Sequence, residues 1–296
     1  MKKFKGALAV FFGAASFGIL STFVKKSYAA GFSLGEVTGI QALLGMLLLW
    51  VMYFLTSAKK SSSQRFSRTT PSWKIIVAGF STGIVSIIYY KCVQLVPASI
   101  AIVLLMQFIW MSALINYIVY KQKPSTRQAL GIIAILFATV FATGAMESSF
   151  SDLSLLGICF GLLAALAYSI FIIVNGKVGN DYPPVQKSAL MVTGAAILIF
   201  TTLQPFSLFD PETDMLIYQY GLLLAVFGTV LPPFLFAYGM PKIDIALGSI
   251  LSAVELPVAV AMSYFVLHEK VSGIQWAGVA MILGIVVWIN YPKKIR

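Results

Sequence analysis

The chain has 296 residues, of which 59% are hydrophobic and only 10% charged, and its mean hydropathy of +0.91 leaves too little polar surface for a soluble fold. Its formal charge of +11 gives no sign of a nucleic-acid partner, because Lys and Arg stand in short runs between apolar stretches and form no basic stripe interleaved with aromatics. An integral membrane protein is what remains.

The first stretch, MKKFKGALAVFFGAASFGIL, has the basic start and apolar run of a secretory signal. Nine comparable segments follow it, so it is read as an uncleaved first helix. The apolar segments fall at 6–24, 33–56, 73–95, 97–120, 126–144, 153–175, 183–204, 216–238, 243–267 and 273–291. Each approaches the ~20 residues that a helix needs to span a bilayer. They predict an all-α polytopic membrane protein with ten transmembrane helices. The polar connection SAKKSSSQRFSRTTPSW suits a flexible loop lying against anionic lipid headgroups. Every Lys and Arg except Lys25, Lys26, Lys91 and Lys270 falls on the side of the N-terminus, while Glu36, Glu147, Asp152, Asp210, Glu212, Asp214 and Glu269 collect on the other. That asymmetry predicts that both termini are cytoplasmic. Cys92 and Cys159 lie inside apolar segments, as buried thiols rather than a disulfide pair.

Shifting the sequence by 148 residues lays one half on the other. LAVFFGAASFGILSTF from Leu8 covers LGICFGLLAALAYSIF from Leu156, placing Gly13 on Gly161 and Ser21 on Ser169; further on, Tyr90 meets Tyr238 and Gln107 meets Glu255. Five helices per repeat is an odd number, so the second copy enters the membrane upside down. The expected organisation is two inverted five-helix repeats, 1–148 and 149–296, with a site at the midplane between them. Glu255 sits in the middle of the ninth segment, KIDIALGSILSAVELPVAVAMSYFVLHEK, where an ionised acid is costly. It is either a carboxyl that fixes packing or a substrate and proton-coupling site. Pro257, two residues on, removes a backbone donor and frees a carbonyl nearby.

The stretch VELPVAVAMSYFVLHEKVSGIQWAGVAMILGI resembles the closing pattern of each repeat in the EamA-type permeases of the drug/metabolite transporter (DMT) superfamily. The similarity extends over essentially the whole chain. The first repeat departs from the pattern, with Phe108 after Gln107 where a proline is usual and Lys121 where an acid often ends the helix. The family's architecture implies that the fourth and ninth helices line the cavity, which makes Gln107, Trp110, Asn116, Ser249, Ser252 and Glu255 candidate substrate-binding residues. Gln107 with Trp110, and Ser252 with Glu255, are spaced i,i+3 and share a helix face. Gln107 can equally serve as an interhelical hydrogen-bonding residue. Lys91 either snorkels to the outer interface or turns inward beside Tyr89, Tyr90 and Gln94 to meet a substrate carboxylate. Trp110, Tyr168 and Tyr238 can stack on a planar or cationic solute.

These readings predict a secondary-active carrier, in a bacterial inner membrane, of a small polar metabolite, with an amino acid or related zwitterion as the solute and export as the direction. The alternatives are a lipid flippase or a drug/cation efflux carrier; a membrane-embedded enzyme is disfavoured by the single histidine and the missing HExxH and Ser/His/Asp sets. The partners expected are the small-molecule substrate, the lipid bilayer and protons as a candidate coupling ion. No cofactor, metal or nucleic acid is expected, and the oligomeric state is a monomer or weak homodimer.

Overall fold

The computed structural model describes residues 2–58, 69–96, 98–144, 154–211 and 213–290. Lys59, Lys60, Arg65, Arg68, Glu147, Asp152, Glu212, Lys293, Lys294 and Arg296, which entered the topology argument, lie outside them. The described residues form helices and connections without strands. In chain order the helices are α1 (Lys2–Ala29), α2 (Leu34–Ala58), α3 (Ser72–Leu95), α4 (Ala98–Leu105), α5 (Phe108–Tyr120), α6 (Thr126–Ala142), α7 (Leu155–Lys177) and α8 (Pro184–Leu203). They continue with α9 (Leu216–Leu224), α10 (Leu231–Gly239), α11 (Ile245–Ser252), α12 (Glu255–Leu267) and α13 (Gly273–Asn290). Among the described residues nine stretches are long and apolar enough to cross a membrane; α6, at 17 residues, is a shorter tenth.

Three spans are built from more than one helix, and each interruption has a chemical cause. In the ninth, Pro257 cannot donate to Ala253 O, which instead receives Leu256 N at 3.3 Å; Ala253 N and Val254 N likewise reach only three residues back. In the fourth no proline stands near the break. Gln107 inserts its own amide, Nε2 donating to Val103 O at 3.0 Å, while its backbone N turns to Leu104 O. In the eighth, a π-helical turn (Ala225–Val230) joins α9 to α10 just before Pro232 and Pro233, and Leu231 N bonds back to Val226 O. Ser16 Oγ of α1 donates to Phe227 O at 2.7 Å, supplying from another helix a donor that Pro232 lacks.

The breaks of the fourth and ninth spans correspond, whereas that of the eighth has no counterpart in the unbroken α3. Ala98 and Ile245, Leu105 and Ser252, Phe108 and Glu255, and Tyr120 and Leu267 are the matching ends of the helices, each 147 residues apart. The left-handed C-caps Lys121 and His268 (φ 56° and 54°) and the Ser125–Gln128 and Ser272–Gln275 N-terminal caps keep the same spacing. In this part of the fold the structural register is thus one residue shorter than the 148 that aligns the first helices, and Phe108 rather than Gln107 occupies the position equivalent to Glu255.

The halves interdigitate. α1 packs on α10, α11 and α12; α7 packs on α3, α4 and α5; α3 lies against α8, and α6 against α13. Glycines set the closest crossings. A Cβ on Gly79 would overlap Met191 O and one on Gly194 would overlap Ile76 O, so the backbones of α3 and α8 touch reciprocally. Gly18 plays the same part where α1 meets the backbone of Glu255 and Ala259. Lys187, 1% exposed, donates to Asn175 O at 2.8 Å and Asn180 Oδ1 at 2.9 Å, so its ammonium occupies the C-terminal end of α7.

Candidate functional site

A cavity of about 240 Å³ lies between the two halves, walled by α1, α2, α3, α7 and α12 and by the π-helical turn. It runs from Glu255 toward the end of the bundle where Lys25, Glu269 and Lys270 stand. At its inner end, the break of the ninth span makes Glu255 the first residue of α12, beside the positive pole of that helix. The side chain lies deep in the bundle yet keeps part of its surface open to the cavity.

Tyr168 Oη of α7 donates to Glu255 Oε2 at 3.2 Å. Its ring is held by Phe108, Phe171 and Phe17, with centroids at 4.5, 5.5 and 6.1 Å, so the hydroxyl has little freedom to leave the carboxyl. Among the described residues Glu255 has no ion pair. One hydrogen bond to a charged group contributes about 1.5–3 kcal/mol, whereas desolvating a carboxylate costs several. The partner that Glu255 lacks is a cation or a proton.

On the opposite wall, Tyr90 Oη donates to Gln41 Oε1 at 3.3 Å and Gln41 Nε2 to Thr229 Oγ1 at 3.0 Å, linking α3, α2 and the π-helical turn. Tyr89 lines the same space, and Tyr28, 6.4 Å from Tyr90 between ring centroids, has a buried hydroxyl with no hydrogen-bond partner among the described residues. At the mouth Lys25 Nζ contacts both Glu269 oxygens at 3.3 Å, and the Ser263 hydroxyl also bonds Glu269. Burial opposes ionisation of Glu269, but Ser263 and Lys25 outweigh it and hold the carboxyl below its usual range. The lining of the cavity does not extend to the opposite end, where Asp244 ties the two halves, accepting from Gln128 Nε2 at 2.5 Å and pairing with Lys3 at 3.7 Å.

Of the residues singled out in the sequence, Glu255, Tyr90, Tyr89 and Tyr168 line this cavity. The others lie apart from its wall. Gln107 is engaged locally, accepting from Trp110 Nε1 at 2.9 Å as well as donating to Val103, and Trp110 is 38% exposed. Ser249 meets Ser112 at 2.5 Å where α11 crosses α5, and Ser252 bonds Gly248 O at 2.9 Å. Asn116 reaches Gln122 O at 3.4 Å, Tyr238 carries Lys242 over its ring, and the exposed Lys91 bonds Gln94 Oε1 at 3.3 Å. Gln41, Thr229 and Tyr28 were not singled out in the sequence. Gln41 carried a signal, being an amide inside a largely apolar span; Thr229 and Tyr28 carried none that sets them apart from packing residues.

Comparison with known proteins adds three findings. The model of the EamA-like transporter family matches residues 4–144 and again 155–291. An uncharacterized transporter of Synechocystis sp. is 20% identical over 221 residues, covering 75% of this chain and 67% of that protein. A protein of known crystal structure, 16% identical and covering 97% of this chain and 98% of its own, superposes with a TM-score of 0.78, a likeness of fold.

Proposed function

The chain belongs to the EamA-like transporter family, and we propose that it is a secondary carrier moving a small, amine-bearing polar metabolite by alternating access through the cavity at Glu255. The observation that carries this reading is a carboxyl without a cation among the described residues, set between the two halves in a cavity that reaches one end of the bundle and not the other, where Asp244 ties the halves together. A substrate ammonium takes the place of the missing cation at Glu255, and the tyrosines around it supply aromatic faces and hydroxyls. An amino acid or related zwitterion fits if its carboxylate extends toward Lys25 or Lys270 at the mouth. The basic residues at the end carrying the termini support a cytoplasmic placement for them in a bacterial inner membrane. Export then means loading from the end that is closed in this conformation.

A second reading is favoured by one feature. Phe17, Tyr28, Tyr89, Tyr90, Tyr168 and Phe171 surround a single deep carboxyl, which also suits a hydrophobic organic cation. A thermal-shift screen of the purified protein against amino acids, amines and quaternary ammonium compounds separates the two, since a ligand of the folded state raises Tm by mass action. Amino-acid hits that vanish in Glu255→Gln and weaken in Gln41→Ala support the first reading. Hits confined to quaternary ammonium compounds support the second, and hits unaffected by Glu255→Gln would remove the cavity from either account.

A further inference from the structure

The closed end of the bundle carries a feature that transport through the Glu255 cavity does not use. A recess of about 370 Å³ opens there at the seam of the halves, lined by Lys3 and Gln122 from the first and by Lys177, Lys242 and Asp244 from the second. Its single acid is already satisfied: Asp244 accepts from Gln128 Nε2 and Leu247 N and pairs with Lys3. Lys177 and Lys242 therefore bring uncompensated charge. Among the described residues neither forms an ion pair; Lys177 Nζ rests 4.6 Å from the centre of the Tyr120 ring, and Lys242 lies over Tyr238 while donating to its carbonyl at 2.6 Å. A cation resting on an aromatic face is held less firmly than one bonded to a phosphate oxygen.

From this arrangement we infer that the recess binds the phosphate of an anionic phospholipid headgroup, with Lys177 and Lys242 as its principal ligands and Gln122 as a neutral donor. Its place fits that occupant. It lies at the ends of three stretches of spanning length, α1, α7 and the one begun by α11, the level at which such a bundle enters a headgroup layer, and at the end of the bundle that also carries Lys2, Lys5, Lys121 and Lys123. A headgroup seated there bridges the two halves beside the Lys3–Asp244 pair, so occupancy favours the conformation in which this end is shut.

The test uses the full chain in a neutral detergent, titrated with phosphatidylglycerol while Tm is followed. Phosphatidylglycerol should raise Tm and phosphatidylcholine should not. At about fivefold per lysine, the double variant Lys177→Gln/Lys242→Gln should need about 25-fold more phosphatidylglycerol for half the shift. Lys177→Arg/Lys242→Arg, which keeps both charges, should behave as the native chain, and a lipid-free Tm of the Gln variant equal to the native value separates lost binding from misfolding. Lys2→Gln/Lys5→Gln, equal in charge but outside the recess, should move the midpoint by less than fivefold. An equal loss in that control would reduce the effect to diffuse surface charge and overturn the site. A matching shift with inorganic phosphate that competes with the lipid would overturn the headgroup as its occupant.

Discussion

Tyr168 is the residue through which the cavity grips its carboxyl, and its surroundings make its role testable apart from folding. Because Phe108, Phe171 and Phe17 hold the ring, Tyr168→Phe should keep Tm within a few degrees. Losing a hydrogen bond to a charged group costs about 1.5–3 kcal/mol, or roughly ten- to a hundredfold. Substrate KM in proteoliposomes should rise by that factor, and an unchanged KM would detach Tyr168 from the site. Asp181 offers a second test at this scale. It accepts from Thr69 N at 2.7 Å and Thr70 N at 2.8 Å, tying the start of α3 to the α7–α8 connection. Its slight burial opposes ionisation, but the Thr70 and Thr69 donors outweigh this and lower the carboxyl to about 2. A depressed carboxyl contributes stability that is fully present above its ordinary value of about 4 and is lost as pH falls through its folded value. Amide protection at Thr69 and Thr70 should hold down to about pH 4 and fall toward pH 2; protection that is flat across that window would contradict the assignment. Glu255 was legible because an acid in a membrane-length helix stands out against its neighbours. Lys187 and Gln41 were harder to read, since their meaning depends on what another helix brings to them, namely the α7 carbonyls and Thr229.

Among the elements, the ten spans were legible to within a few residues, because apolar length alone defines them. Their interruptions were only partly so. Pro257 and the Pro232–Pro233 pair announce a missing donor, but nothing local to Gln107 says that its amide will replace a backbone N–H and split the fourth span. The one-residue change in register follows from the same limit: hydropathy tolerates a slip of one position, whereas helix ends and caps do not. Among the glycine crossings of the described residues, a Cβ would find least room where α3 meets α8, at Gly79 and Gly194. Gly79→Val forces side-chain atoms into the carbonyl of Met191, and overpacking of this kind costs typically 1–3 kcal/mol. Its thermal midpoint should drop by several degrees, while Gly284→Val, at a glycine with open space around it, should leave the midpoint unchanged. Equal losses in the two variants would show that the crossing is not specially tight.

At the scale of the molecule, the mouth of the cavity is spanned by Lys25 from the first half and Glu269 from the second. Both are about half exposed, so the pair adds at most ~1 kcal/mol to stability and is better placed to register movement than to resist it. A short bismaleimide linker between cysteines at these two positions, in a chain with Cys92 and Cys159 replaced, should stop turnover without weakening substrate binding. Continued turnover would place the moving parts elsewhere. The duplication itself was visible in the sequence, but the packing of its products was not, because hydropathy says which segments are alike and not which ones touch. α1 beds itself among α10, α11 and α12, and α7 among α3, α4 and α5, so each half lends its leading helix to the other. The seam of the duplication is therefore not a line along which the molecule can be taken apart. Cut between α6 and α7 and made as two separate polypeptides, neither piece has the partners its first helix was shaped for; each alone should be degraded, and only their co-expression should rebuild a carrier.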